Sequence, residues 1–242
     1  MNFDISGRKS KNYKARTYPV EIPNNILISI YRIKTIEDYE AILGELGQSL
    51  LFSTVNMDES FESKRLHDPA VLQTFKMLFQ DLVFEQKWLQ RYLRIDTDRN
   101  FLEFLYLKKL FQIRELCLKA LSYRVIHENP IHEALQQISE LYPRDAFVKP
   151  NENLILFDLV FYDTNPYIDY RACLLESNLR EFLISRFDEQ WWRETEAGTH
   201  LIRWWNKNSE LTPGFIEQEL EQEMDMNALN NRKLIKYFEK AF

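Results

Sequence analysis

Four of the eight prolines in this chain of 242 residues stand directly behind a residue that caps helix N-termini: Asp68-Pro69, Asn129-Pro130, Asn165-Pro166 and Thr212-Pro213. Proline at the first helical position costs nothing, because the N–H it lacks has no acceptor there in any case. Apolar residues at three- and four-residue steps follow each pair, as in Val71, Leu72, Phe75, Leu78, Phe79, Leu82, Val83, Trp88 and Leu89 behind Pro69. The stretch Phe101 to Val125 is apolar on most of its circumference, as a helix covered on more than one side should be. Further helices are expected at 36–52, 131–142, 152–162, 167–187, 196–207, 213–223 and 227–241. Only five glycines occur, against a usual share of about 7%, so tight turns and strands must be few. One region departs from the helical pattern. Tyr13–Val20 and Ile26–Arg32 are rich in β-branched and aromatic residues around Pro23-Asn24-Asn25, which predicts a two-stranded hairpin. The expected fold is mainly α and multi-helix, with a small N-terminal β-hairpin. It is read as a single domain over 1–242, with arm and hairpin at 1–35, a helical core at 36–223 and a C-terminal helix at 224–242.

Charge and composition narrow the function classes. Lys and Arg number 31 against 37 Asp and Glu, a net charge of −6, which is a poor basis for gripping phosphates, so no nucleic-acid partner is expected. No apolar run approaches the ~18 residues that cross a bilayer. The start Met1-Asn2-Phe3-Asp4 has no basic-then-apolar leader, and a cytoplasmic location is expected. Cys117 and Cys173 are isolated within apolar helical patterns and read as reduced core residues, which excludes a cysteine metal site.

The most informative stretch is Tyr39 to Phe52. Its helical pattern is good, yet Gly44 and Gly47 both fall inside it. Each interior glycine costs about 1 kcal/mol relative to alanine, and nothing in the amphipathic pattern asks for either. Local propensity is broken where function often resides. Gly44-Glu45-Leu46-Gly47-Gln48 resembles the His-Glu-x-Gly-His motif of thimet-oligopeptidase-type zinc metallopeptidases, with both histidines replaced. In that motif two histidines one helical turn apart bind zinc and the glutamate activates the metal-bound water. The family's third ligand, a glutamate on the next long helix, aligns with Gln73. The flanks extend the likeness. Gly7-Arg8-Lys9-Ser10, Tyr18-Pro19-Val20-Glu21-Ile22-Pro23 and Ile36-Glu37-Asp38-Tyr39 resemble the family's approach to its zinc helix, edge hairpin included. Leu179-Arg180-Glu181-Phe182-Leu183, Phe187-Asp188-Glu189-Gln190-Trp191-Trp192 and Ala197-Gly198 resemble the C-terminal segment of smaller, bacterial-type members. The match covers residues 3 to 216 and corresponds to the catalytic half, which implies a zincin-like, oligopeptidase-type helical domain.

The resemblance also implies lost chemistry. Gly44 has no donor, and Gln48 and Gln73 offer neutral amide oxygens that are poor zinc ligands. Without metal, water beside Glu45 keeps its ordinary, very high pKa instead of the near-neutral one that zinc confers. Glu45 is then a vestigial general base, with no metal and no cofactor expected. Aligning Arg171-Ala172 with the family's Arg-Ala puts its transition-state tyrosines at about Asn165 and Asp169, with Tyr167 and Tyr170 close by as cleft candidates. The expected role is a catalytically inactive peptide- or protein-binding subunit or scaffold. Its partner is a protein or peptide, a chain supplying the family's N-terminal half, or a copy of itself. Two alternatives stay open: an active zinc peptidase using Glu45 with His67 or Glu62, and a helical interaction protein unrelated to peptidases.

Other features read more plainly. His127 and His132 are five apart with Pro130 between them and cannot share a helical face. His67 and His200 read as surface or capping groups. The pairs Trp191-Trp192 and Trp204-Trp205 read as a packing seam rather than a ligand cage.

Overall fold

The capping pattern seen in the sequence is realised in the computed structural model, which describes residues 1–8, 11–145, 147, 149, 151 and 166–223. Asp68 accepts from Ala70 N (2.8 Å) and opens α3, Pro69–Gln80. The Thr212 hydroxyl accepts from Phe215 N (3.2 Å) and opens α8, Pro213–Glu223. Asn129 behaves differently. Its amide nitrogen turns back to Val125 O (2.9 Å), so it closes the preceding helix rather than capping the next. The expected helices at 152–162 and 227–241, and Asn165, lie outside the described residues.

The protein is mainly helical with a small N-terminal sheet. The hairpin is present as β2 (Ala15–Glu21) antiparallel to β3 (Asn25–Ile30), with Thr17 opposite Ile28. A third strand joins it: β1, Asn2–Asp4, runs parallel to β3 and gives the order β1-β3-β2. A three-residue strand carries too little pattern to be read locally, and long-range contacts hold this one. Lys11, buried beside it, donates to Ile30 O (2.8 Å) and Asp4 O (3.0 Å) and pairs with the Asp4 carboxylate at 3.2 Å.

Two compact units emerge from the contacts. The first holds residues 1–98 and the described chain from Ala172 on. Here α1 (Ile36–Ser53) lies against β2, β3 and α3, and α2 (Phe61–Arg65), between α1 and α3 in the chain, lies against the turn at Asn208–Glu210. Short helical turns at 81–93 follow α3. The core gathers Ile26, Ile28, Leu51, Phe75, Leu78, Phe182, Trp191 and Trp204, all nearly inaccessible to water. Phe182 and α7, Thr195–Trp205, meet through the Phe182–Trp204 stack at 5.9 Å, and Trp205 packs edge-on against Phe75 at 5.5 Å. The tryptophans are thus a packing seam. Arg180, also buried, donates to Glu176 (2.6 Å), Leu78 O (3.1 Å) and Glu85 (3.2 Å), which pins its helix to the end of α3. The second unit holds the described residues of 99–171: α4 (Arg99–Glu128) and α5 (Ile131–Asp145), with Arg114 Nε donating to Asp145 O at 2.7 Å. The helix α6, Pro166–Phe187, contributes its first turns to the second unit and the remainder to the first. Cys117 and Cys173 are not joined in a disulfide, the first half-buried and the second buried. Among the described residues no helix is long and apolar enough to cross a membrane.

The histidine reading needs correction. His67 and His200 are both buried. The His200 ring packs among Phe182 (5.1 Å), Trp204 (4.9 Å) and Phe187 (5.9 Å), an aromatic site that a local pattern cannot reveal. Burial, with Arg203 and Arg186 adding to it, pushes its pKa from 6.5 down to about 4. The unfolded chain therefore binds the proton first as pH falls. The stability that neutral His200 contributes is whole above about pH 6.5 and is lost as pH falls toward 4, to the extent of about 3 kcal/mol. Urea midpoints measured at pH 7 and pH 4.5 should fall less in His200→Phe than in the wild type.

The interior glycines have a packing reason. A Cβ at Gly47 would enter the Phe75 carbonyl and stand 2.9 Å from Phe79 Cδ2. Gly47→Ala should lose about 2 kcal/mol in urea unfolding despite its gain in helix propensity. Gly44→Ala meets only the bendable side chains of Lys76 and Gln80, and should change stability by less than about 1 kcal/mol.

Candidate functional site

A helix that crosses its neighbour on glycine brings everything else on that face within hydrogen-bond reach. α1 and α3 run antiparallel: Glu40 accepts from Gln80 (3.0 Å), Glu45 from Lys76, and Gly47 lies against Phe75 and Phe79. Gly44 and Gln48 stand one turn apart on α1, and Gln73 and Lys76 three residues apart on α3. At about 100° per residue, Gln48 lies on the Glu45 side of α1 and Gln73 on the Lys76 side of α3. The helix pair and the neighbouring hairpin thus bring Gly44 and Glu45 to Lys76, and Glu45 to Thr17. Gln48 and Gln73 are half-buried, while Gly44 and Glu45 are buried.

Glu45 is the centre of this site and is fully engaged. One carboxylate oxygen accepts from Thr17 N (2.6 Å) and the other from Lys76 Nζ (2.7 Å). The Thr17 hydroxyl donates to Glu45 O (3.0 Å) and lies 2.9 Å from Ser49 Oγ, which itself donates to Glu45 O at 2.7 Å. A strand's N–H lies in the plane of its sheet. Lys14 O accepts from Tyr31 N (2.9 Å), so Lys14, Arg16 and Tyr18 turn toward β3 while Ala15, Thr17 and Pro19 turn outward. Glu45 therefore satisfies an outward N–H of the edge strand, and Pro19 has none to offer. The register shifts between Pro19 and Glu21, and Arg65 then takes Val20 O (3.1 Å). The outer edge of β2 is closed by α1 and α2, one of the ways a sheet protects an exposed edge.

These residues do not fit a zinc ion. Gly44 has no donor atom, Gln48 and Gln73 offer only neutral amides, and an ammonium, which has no lone pair, faces the Glu45 carboxylate. Among the described residues no group of three or more His, Cys, Asp or Glu is arranged to hold a metal. The alternative ligands fare no better. His67 packs edge-on against Phe52 at 5.5 Å, and burial pushes its pKa down, while Glu62 sits exposed on α2. His127 and His132 lie on different helices, both exposed. Tyr167 and Tyr170 belong to the second unit, Glu45 and the glutamines to the first. Tyr167 is exposed and packs edge-on against Tyr123 at 6.1 Å; Tyr170 is half-buried. Lys76 and Thr17 were not legible as site residues. Lys76 carries a faint signal, a charge between Phe75 and Met77 on a helix facing two glycines; Thr17 carries none, because its role belongs to its backbone.

No protein-family model and no curated protein matches the chain.

Glu45→Ala strips Thr17 N–H and Lys76 of their common acceptor. Breaking a fully buried pair costs about 3–5 kcal/mol. Because Lys76 keeps access to water, the expected loss in urea unfolding is about 2 kcal/mol. Amide exchange at Thr17 should accelerate at the same time.

Proposed function

We propose that the chain is a catalytically inactive, peptide- or protein-binding subunit built on a fold of the metallopeptidase catalytic type. The observation that carries the reading is the state of Glu45. The residue aligned with the family's general base has both oxygens committed, to a strand amide and to an ammonium. Each oxygen thus has a protein donor, and the ammonium beside it, unlike a metal ion, has no open coordination position at which to activate a water. The closed edge of β2 supports the same conclusion, since an extended chain has no outward donors to pair with at Thr17 and Pro19.

A binding role draws on exposed apolar side chains near the end of β2. Val20, Met57, Phe61 and Leu66 are each more than half exposed. Arg65 links two of them, donating to Val20 O (3.1 Å) and lying 5.1 Å over the Phe61 ring, and Lys64 donates to Met57 O. Large apolar groups rimmed by charge are the usual mark of a protein-facing surface.

Protein purified without chelators should carry substoichiometric zinc by elemental analysis and cleave peptides no faster than Glu45→Gln. Stoichiometric zinc, with cleavage that Glu45→Gln abolishes, would overturn the reading in favour of an active peptidase.

A further inference from the structure

We propose that Lys76 occupies, with its stem and its charge, the ground that a cation and its residue-44 ligand hold in the metallopeptidase motif, so that the site now excludes divalent metal. The inference rests on that reading of Gly44, Gln48 and Gln73. A Cβ added at Gly44 would stand 3.1 Å from Lys76 Cγ and 3.3 Å from Gln80 Oε1. The lysine stem therefore crosses the space that a side chain at 44 would use. Its ammonium ends 2.7 Å from Glu45 Oε1, while Thr17 N holds the other oxygen at 2.6 Å. The carboxylate side chain is only 10% exposed and the lysine 31%, so the pair is screened less than a surface pair. Simple loss of ligands would leave Glu45 facing water. Here a fixed positive charge has replaced what was lost, and a divalent ion approaching the same carboxylate meets repulsion in a medium less polar than water.

The test compares two full-length chains that differ only at Lys76. Both carry Gly44→His, Gln48→His and Gln73→Glu, and one adds Lys76→Met, which keeps the Cγ beside residue 44 and removes the charge. Zinc affinity is read by competition with a chromophoric chelator, and folding by circular dichroism. The chain that retains Lys76 should bind zinc at least about tenfold more weakly. Equal affinities would overturn the proposal while leaving the ligand alignment standing. Two folded chains that both ignore zinc would show the alignment itself to be wrong, and the proposal would fall with it. Should histidine at 44 prevent folding, Gln48→His with Gln73→Glu, with and without Lys76→Met, leaves the glycine contact intact. The same ordering of affinities is expected there, and equality is again the overturning result.

Discussion

The close approach of α1 to α3 at Gly47 governs the arrangement around it. With no side chain at that position, the helix surface comes against the Phe75 carbonyl and the Phe79 ring. That separation brings Lys76 within 2.7 Å of Glu45 and Gln80 within 3.0 Å of Glu40. The two glycines that weaken α1 as an isolated helix are what allow it to pack so tightly, and tertiary contact outweighs the intrinsic penalty. The reverse face of α1 is thereby fixed against the hairpin, where Glu45, Ser49 and Thr17 form one connected set of hydrogen bonds.

Within that set Glu45 has a structural task. Glu45 ties three elements together: its own helix, the edge strand through Thr17 N, and α3 through Lys76. A buried carboxylate with one amide and one ammonium as partners has a protein donor on each oxygen. The same bonds close the sheet edge. The Glu45 carboxylate thus fixes the register of helix on strand.

Much of the fold could be read from local signals. Caps at Asp68 and Thr212, proline at the following position, and three- and four-step apolar spacing are properties of a few consecutive residues, and they placed the expected helices to within three residues where the structure describes them, while the five-residue α2 was too short to show such a pattern. Asn129 misled because an asparagine can cap in either direction, and the choice depends on which backbone group is near. The strand β1 was invisible because three residues do not make a pattern, and its pairing with β3 is set by Lys11 from elsewhere in the chain. His200 read as superficial because its aromatic surroundings come from other segments of the chain. The site was half legible: the glycine anomaly directed attention to Glu45, but nothing local pointed to Lys76 or to Thr17.

The sequence by itself determined where most of the helices lie, that a hairpin precedes them, and that two glycines interrupt the first long helix. Those are statements about residue identity and short-range pattern, which a linear chain carries in full. Only the tertiary structure decided what the Glu45 carboxylate meets. Which atoms meet across two antiparallel helices depends on how near their backbones come, and that distance was set by Gly47 against Phe75, in a contact between segments nearly thirty residues apart.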